Sequence, residues 1–187
     1  MEVRQMSYRF ALVTGLLLAA VHVSAQPAPT KLGPVTIQKL TNPKALQWDV
    51  QVPGSRSEVW KAMTTAEGMK SWIAPDARVQ LREGGEWLAI WSGAAPGGGK
   101  IQSFSNESKL VIHAMAPERF PEVRSVGTTV TFTLESCGAQ CTRVRMLQTG
   151  WKAGAEWDAA YDYLAGGNAQ VLESLHRRFA DETVKPK

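Results

Sequence analysis

Few residues of this chain combine a reactive side chain with a spacing that chemistry could use. Its three histidines are His22, His113 and His176, and histidine is the side chain whose charge changes near neutral pH. His113 stands in LVIHAM, where strand alternation places Leu110 and Ile112 on one face and Val111, His113 and Met115 on the other. It is the one weak candidate for a general base, set against the commoner structural role of a lone strand histidine. His176 precedes Arg177 and Arg178, the pattern of a solvated helix face. Glu156, Asp158 and Asp162 crowd a single stretch, and the two aspartates, four apart, share a helix face. Such a pair could serve acid–base or metal chemistry, although an acidic solvent face is the simpler reading. No serine, cysteine or histidine lies in a nucleophile-elbow or triad context. The glycine-rich stretch 93–99 lacks the Gly-Lys-Ser/Thr ending of a phosphate loop and reads as a lid or rim loop. Neither a metal nor a cofactor is expected.

The two cysteines have a different use. Cys137 and Cys141 flank Gly138-Ala139-Gln140 between the strand-like runs VTFTL and TRVRML. A three-residue hairpin loop would set them directly opposite, with Cα atoms roughly 4.5–5.5 Å apart, which is within disulfide range. Half of a metal site is the rival reading, but no third cysteine exists and the histidines are distant in sequence. A disulfide is therefore expected.

The first residues point to a compartment that would keep it. Arg4 and Arg9 outnumber Glu2, an apolar run follows from Phe10 to Val21, and Val23-Ser24-Ala25 supplies a cleavage site. Residues 1–25 thus read as a secretory signal peptide cleaved near Ala25. That predicts export to a bacterial periplasm or beyond, where disulfides persist. An uncleaved anchor is the competing reading, although the run is shorter than the roughly 20 residues that a spanning helix needs. No later segment is apolar enough to cross a membrane. Removing 25 of 187 residues leaves 162, the size of one domain. The net charge of +4 is spread thinly along the chain, which argues against a nucleic-acid partner.

Residues 27–34 are proline-rich and read as an extended leader. The stretch 35–52 reads as one strand with an irregular start. Two capping boxes follow, Ser55-x-x-Glu58 and Thr64-x-x-Glu67, each opening a short helix. Short runs at 79–82, 86–91, 100–104 and 109–115 then read as an antiparallel meander. Residues 116–125, with two prolines, read as a loop, and 128–134 with 142–148 as a hairpin carrying the cysteines. Helical spacing returns at Trp157, Ala160, Tyr161 and Leu164, and again at Val171, Leu172, Leu175 and Phe179. Gly166-Gly167 between them predicts a break, with Asn168 capping the final helix.

In residues 53–87, Pro53, Val59-Trp60, Thr64, Trp72 and Gly84-Gly85 occur in that order. The block resembles the Hsp90-ATPase-activator-like branch of the SRPBCC (START/Bet v 1-like) superfamily. So do the strand 128–134, the stretch Leu147-Gln148-Thr149-Gly150-Trp151 and the closing helix 171–178. The likeness covers about 45–181 and implies an α+β helix-grip fold. That fold is a curved antiparallel sheet of about six or seven strands wrapping a long C-terminal helix, with two short helices after the first strand. The chain then divides into signal peptide 1–25, leader 26–44, domain 45–181 and a disordered tail 182–187.

The same resemblance implies an apolar cavity between sheet and helix. Strand and helix faces would line it with Trp87, Trp91, His113, Phe132, Met146, Gln148, Tyr161 and Leu164, as a pocket with aromatic walls or else as a packed core. Where relatives often carry a histidine two positions before the Gly-Trp, this chain has Gln148, which holds no titratable proton. Binding of a small apolar or amphipathic molecule is accordingly the first functional expectation. A polyketide-cyclase- or hydrolase-like enzyme using His113 is the second. A chaperone-cofactor-like interaction module is the third, disfavoured by export. Trp60 and Trp72 are expected to pack rather than to function.

Overall fold

The computed structural model describes residues 26–184, with side chains through 181. The signal-peptide expectation therefore lies outside the described residues. Among the described residues nine strands form one antiparallel sheet: β1 (Thr30–Leu32), β2 (Val35–Thr41), β3 (Lys44–Val52), β4 (Asp76–Val79), β5 (Glu86–Ile90), β6 (Gly97–Ser105), β7 (Lys109–Met115), β8 (Thr128–Gly138) and β9 (Cys141–Thr149). Their order is β1-β2-β3-β9-β8-β7-β6-β5-β4. Between β3 and β4 the chain crosses to the far edge of the sheet, and α1 (Arg56–Thr64) and α2 (Ala66–Lys70) occupy that crossing. A short α3 (Pro121–Val126) links β7 to β8, and α4 (Ala155–Val184) closes the chain. The architecture is the helix-grip arrangement, with more strands than the six or seven expected.

The additional strands come from residues 30–44. The stretch 35–52 is not one strand but a hairpin, with Thr41 paired to Lys44 across the Asn42-Pro43 turn, whose peptide bond is cis. The intended leader contributes β1, which pairs with β2 through Leu32 and Val35. Polar residues in the run VTIQKLT had blurred the boundary. A glycine-rich stretch and a proline-containing one also differ from the loops expected of them. The 93–99 loop is a strand from Gly97 onward. The 116–125 loop ends in α3, because Pro121 at its first turn is preset for helix and gives up no needed donor.

The first capping box forms as the sequence dictates. Ser55 Oγ accepts from the Glu58 amide at 3.3 Å, and the Glu58 carboxylate accepts from the Ser55 amide at 2.9 Å. Hydrogen bonds from the Ser55 hydroxyl, then from its backbone, hold the Glu58 carboxyl below its ordinary pKa. The second cap is displaced by one residue. Thr65 Oγ1 accepts from the Gly68 amide at 3.0 Å, whereas Thr64 Oγ1 donates back to the Trp60 carbonyl in the last turn of α1. Both helices bury apolar faces, Val59, Trp60 and Met63 on α1 and Met69 on α2. Three indoles fasten these elements together. Trp72 donates to the Ala62 carbonyl, Trp87 on β5 to the Met63 carbonyl, and Trp48 on β3 to the Ala165 carbonyl of α4.

At the Gly-Gly turn the two glycines have separate reasons. Gly84 has φ +71°, and a Cβ on Gly85 would collide with the Gln80 carbonyl. The cysteine hairpin turns more tightly than expected. Gly138 pairs with Cys141, and a register shift beside Cys137 makes it the bulged residue. The two cysteines are therefore offset rather than directly opposite, with Cα atoms 5.0 Å apart in a disulfide.

Helix α4 runs unbroken through Gly166-Gly167 to Val184, contrary to the expected break, and the helix extends past the expected start of the tail at 182. Buried residues on both sides of the glycines, Trp157 and Ala160 before and Leu172 and Leu175 after, dock the helix as one element. Packing thereby overrides a local cost of about 1 kcal/mol per glycine. A Cβ on Gly166 would meet nothing within 4 Å. Gly166→Ala is therefore expected to stabilise the domain by about 0.5–1 kcal/mol, raising the thermal midpoint by about 1–4 °C for a domain of this size. Calorimetry measures it directly, and a lowered midpoint would contradict the uninterrupted helix.

Candidate functional site

The terminal helix is tied down along one flank. Lys39 Nζ pairs with Asp162 at 2.6 Å, and Lys44 pairs with Asp158. A Cβ on Gly33, in the β1–β2 turn, would lie 3.2 Å from Glu173 Oε1. His176 Nδ1 donates to the Gln51 carbonyl of β3 at 2.7 Å. The crowded aspartates are thus a partly solvated, lysine-paired face, and among the described residues no group of acidic, histidine or cysteine side chains could hold a metal.

Because an α-helix turns about 3.6 residues per turn, Leu164, Asn168 and Val171 fall on the other flank. That flank is turned away from the lysine pairs that hold α4 to β2 and β3. Leu164 and Val171 are only half-buried, as are Ala77, Val79 and Ala114 on the strands. The facing sheet is built of small residues. Ala77 pairs with Ala89, and Ala89 pairs with Gly97, so this cross-strand row carries nothing larger than a methyl group. Gly99 likewise stands beside Ala114. These small residues and that flank of α4 outline a candidate cleft, although Ala89 in the middle of the row is itself covered, at 1% exposed. Trp91 stands at its rim, 38% exposed, with its ring 3.2 Å from where a Gly97 Cβ would lie.

A polar group lies at the base of this cleft. Gln148 on β9 is 3% exposed. Its amide donates to Thr128 Oγ1 at 2.8 Å, and its Oε1 accepts from Asn168 Nδ2 at 3.1 Å. Asn168 therefore serves the cleft wall rather than a helix cap, and its Oδ1 has no partner among the described residues. Buried amides are retained when their hydrogen bonds are met, and no buried side-chain polar atom among the described residues lacks a partner.

The sequence-derived residues distribute unevenly around this site. Gln148 and Leu164 border the cleft. Trp87, Phe132 and Met146 are buried in the main core, with the Trp87 and Phe132 rings 5.9 Å apart. Tyr161 is also core, its hydroxyl donating to the Ala45 carbonyl at 2.9 Å, and Trp91 is the rim. His113 is not in the cavity. It is exposed on the convex face, paired with Thr129 and Lys100, while Leu110 and Ile112 point into the core. The alternation of LVIHAM carried that answer, since the two most apolar positions had to be the inner ones. Sequence reasoning missed Thr128, Asn168 and the Ala77–Ala89–Gly97 row. Their register with neighbouring strands, which no single run of sequence displays, is what brings them together.

Burial, and secondarily the Asp162 carboxylate, pushes the Tyr161 phenol above its ordinary pKa. A raised folded-state pKa gives stability that is complete below the unfolded value of about 10 and is lost as pH climbs through the folded one. Thermal midpoints measured from pH 8 to 11 should fall above pH 10, less steeply in Tyr161→Phe. Equal slopes in the two proteins would contradict the buried, neutral phenol.

The family model described as activator of Hsp90 ATPase homolog 1-like protein matches residues 53–180. The chain belongs to that family. Strands β1 to β3 precede the matched residues, so the activator-like region begins just ahead of α1 and ends within α4. Solved structures share its fold at low identity. Protein MLL2253 of Mesorhizobium loti superposes with a TM-score of 0.63 at 18% identity, covering 76% of this chain and 100% of that one. The Aha1 dimer of Colwellia psychrerythraea gives 0.59 at 20%, covering 72% and 95%. CalU16 of Micromonospora echinospora gives 0.54 at 17%, covering 84% and 76%. No curated protein matches the chain. At these identities the likeness establishes the SRPBCC fold of this activator-like domain, and its cleft residues speak for themselves.

Proposed function

We propose that this chain is an exported protein that binds a small apolar or amphipathic molecule in the cleft between α4 and β4–β7. The observation that carries the reading is the small-residue row Ala77–Ala89–Gly97, taken with the half-buried Leu164 and Val171 on the flank of α4 away from β2 and β3. Clefts with apolar walls and a few convergent polar groups are where small ligands bind. Asn168 and Gln148 supply those groups, and Trp91 offers an aromatic edge at the mouth. The polyketide-cyclase- or hydrolase-like alternative loses its base, because His113 alternates with the buried Leu110 and Ile112 and is exposed on the opposite face of β7. An amide cannot replace that base. A chaperone-cofactor role would call for a docking surface rather than an internal cleft, and export would separate the protein from ATP-dependent partners.

Native mass spectrometry of protein purified from its own compartment tests the proposal. The expected result is a mature chain starting near residue 26 that carries a reproducible apolar adduct, released by organic extraction. Protein that is adduct-free and takes up no apolar compound would overturn it.

A further inference from the structure

A second recess lies at the opposite edge of the domain, where β2 begins and β3 runs on past it. It has a volume of about 400 Å³ and is lined by Lys31, Pro34, Thr36, Asp49, Val50, Gln51, Arg143 and His176. The charges there do not cancel. Asp49 is already engaged, accepting from Arg145 Nε at 3.0 Å and from Gln47 Nε2 at 2.8 Å. Lys31 and Arg143 have no hydrogen-bond or ion-pair partner among the described residues. His176 is fixed as well: a carbonyl only accepts, so the proton lies on Nδ1 toward Gln51, and Nε2 is left for another partner. Other carboxylates nearby are Glu173, at the Gly33 turn, and Glu135, paired in register with Arg143.

We infer that this recess binds a compact organic anion, its carboxylate or phosphate oxygens bridging Lys31 and Arg143. Guanidinium groups take such oxygens in pairs, Thr36 and Gln51 offer further hydrogen bonds, and Pro34 and Val50 give the body of the molecule an apolar wall. The volume falls within the range of small-molecule sites, about 300–1,000 Å³, and exceeds what a bare inorganic ion would fill. The site is separate from the α4 cleft and does not depend on the reading given for it.

Titrations of the mature domain followed by amide NMR, with citrate as the carboxylate probe and glycerol 2-phosphate as the phosphate probe, test this. Saturable shifts are expected at residues 31–36, 49–51 and 176 with at least one probe, and the stronger arm identifies the anion class. Arg143→Gln and Lys31→Gln should each weaken binding about tenfold, the scale of one lost charge-assisted contact of about 1.4 kcal/mol. Arg78→Gln, at an exposed ion pair with Glu86 on the other edge of the sheet, should leave it unchanged. Absence of saturable shifts up to 20 mM of either probe, a practical ceiling for weak binding of about 2 kcal/mol, would overturn the inference. So would equal weakening by Arg78→Gln.

Discussion

Replacing Trp48 by alanine is expected to lower the unfolding free energy by about 3–5 kcal/mol, a large part of the roughly 5–15 kcal/mol that such a domain has. Trp48 is completely buried. Its indole N–H donates to the Ala165 carbonyl at 2.8 Å, so one side chain fills the space between sheet and α4 and also fixes the height of the helix above it. Truncation would leave a cavity that the long helix and the flanking strands close only in part. Urea denaturation followed by far-UV circular dichroism measures the loss. Trp91→Ala is the internal comparison: this residue is partly exposed and donates no hydrogen bond among those described, so its removal should cost well under half as much. Equal losses at the two positions would mean that α4 is not held by Trp48.

The second large effect concerns the cleft. Leu164→Trp adds a bulky ring on the flank of α4 that faces Ala77, Ala89 and Ala114. If the flank borders an open cleft, the ring enters it, the thermal midpoint stays nearly constant, and ligand capture falls about tenfold or more. If the same positions were close-packed, overpacking would cost about 1–3 kcal/mol of stability, and no binding would exist to lose. Thermal melts with adduct recovery after native purification separate the two outcomes. A large drop in midpoint with unchanged adduct content would contradict the placement of the site.

Much of this was legible before any coordinates. The capped helix at Ser55, the Gly84-Gly85 turn, the hairpin bearing the cysteines and the helical spacing at residues 157–164 and 171–179 are local patterns that their own neighbours enforce. Other features depended on packing. Gly166 and Gly167 are poor helix residues, yet the buried positions on either side hold α4 straight. The run 35–52 contains both strands of a hairpin, and only their pairing with each other, Thr41 against Lys44, reveals where one ends. For the site, Gln148 stood out because an amide occupied the place of an expected histidine. Asn168 gave no such signal, since a residue after two glycines reads first as a cap. His113 shows the opposite failure: its chemistry drew attention, while the alternation around it already turned it outward.

An apolar ligand held between α4 and β4–β7 is the heart of the proposed function. It is tested most directly by methyl-resolved NMR of the mature domain titrated with N-phenyl-1-naphthylamine as an apolar probe. The account predicts saturable shifts and intermolecular NOEs confined to the methyl groups of Ala77, Ala114, Leu164 and Val171, with the Trp91 indole also affected. Unperturbed methyls at these four residues, or contacts confined to other surfaces, would contradict it.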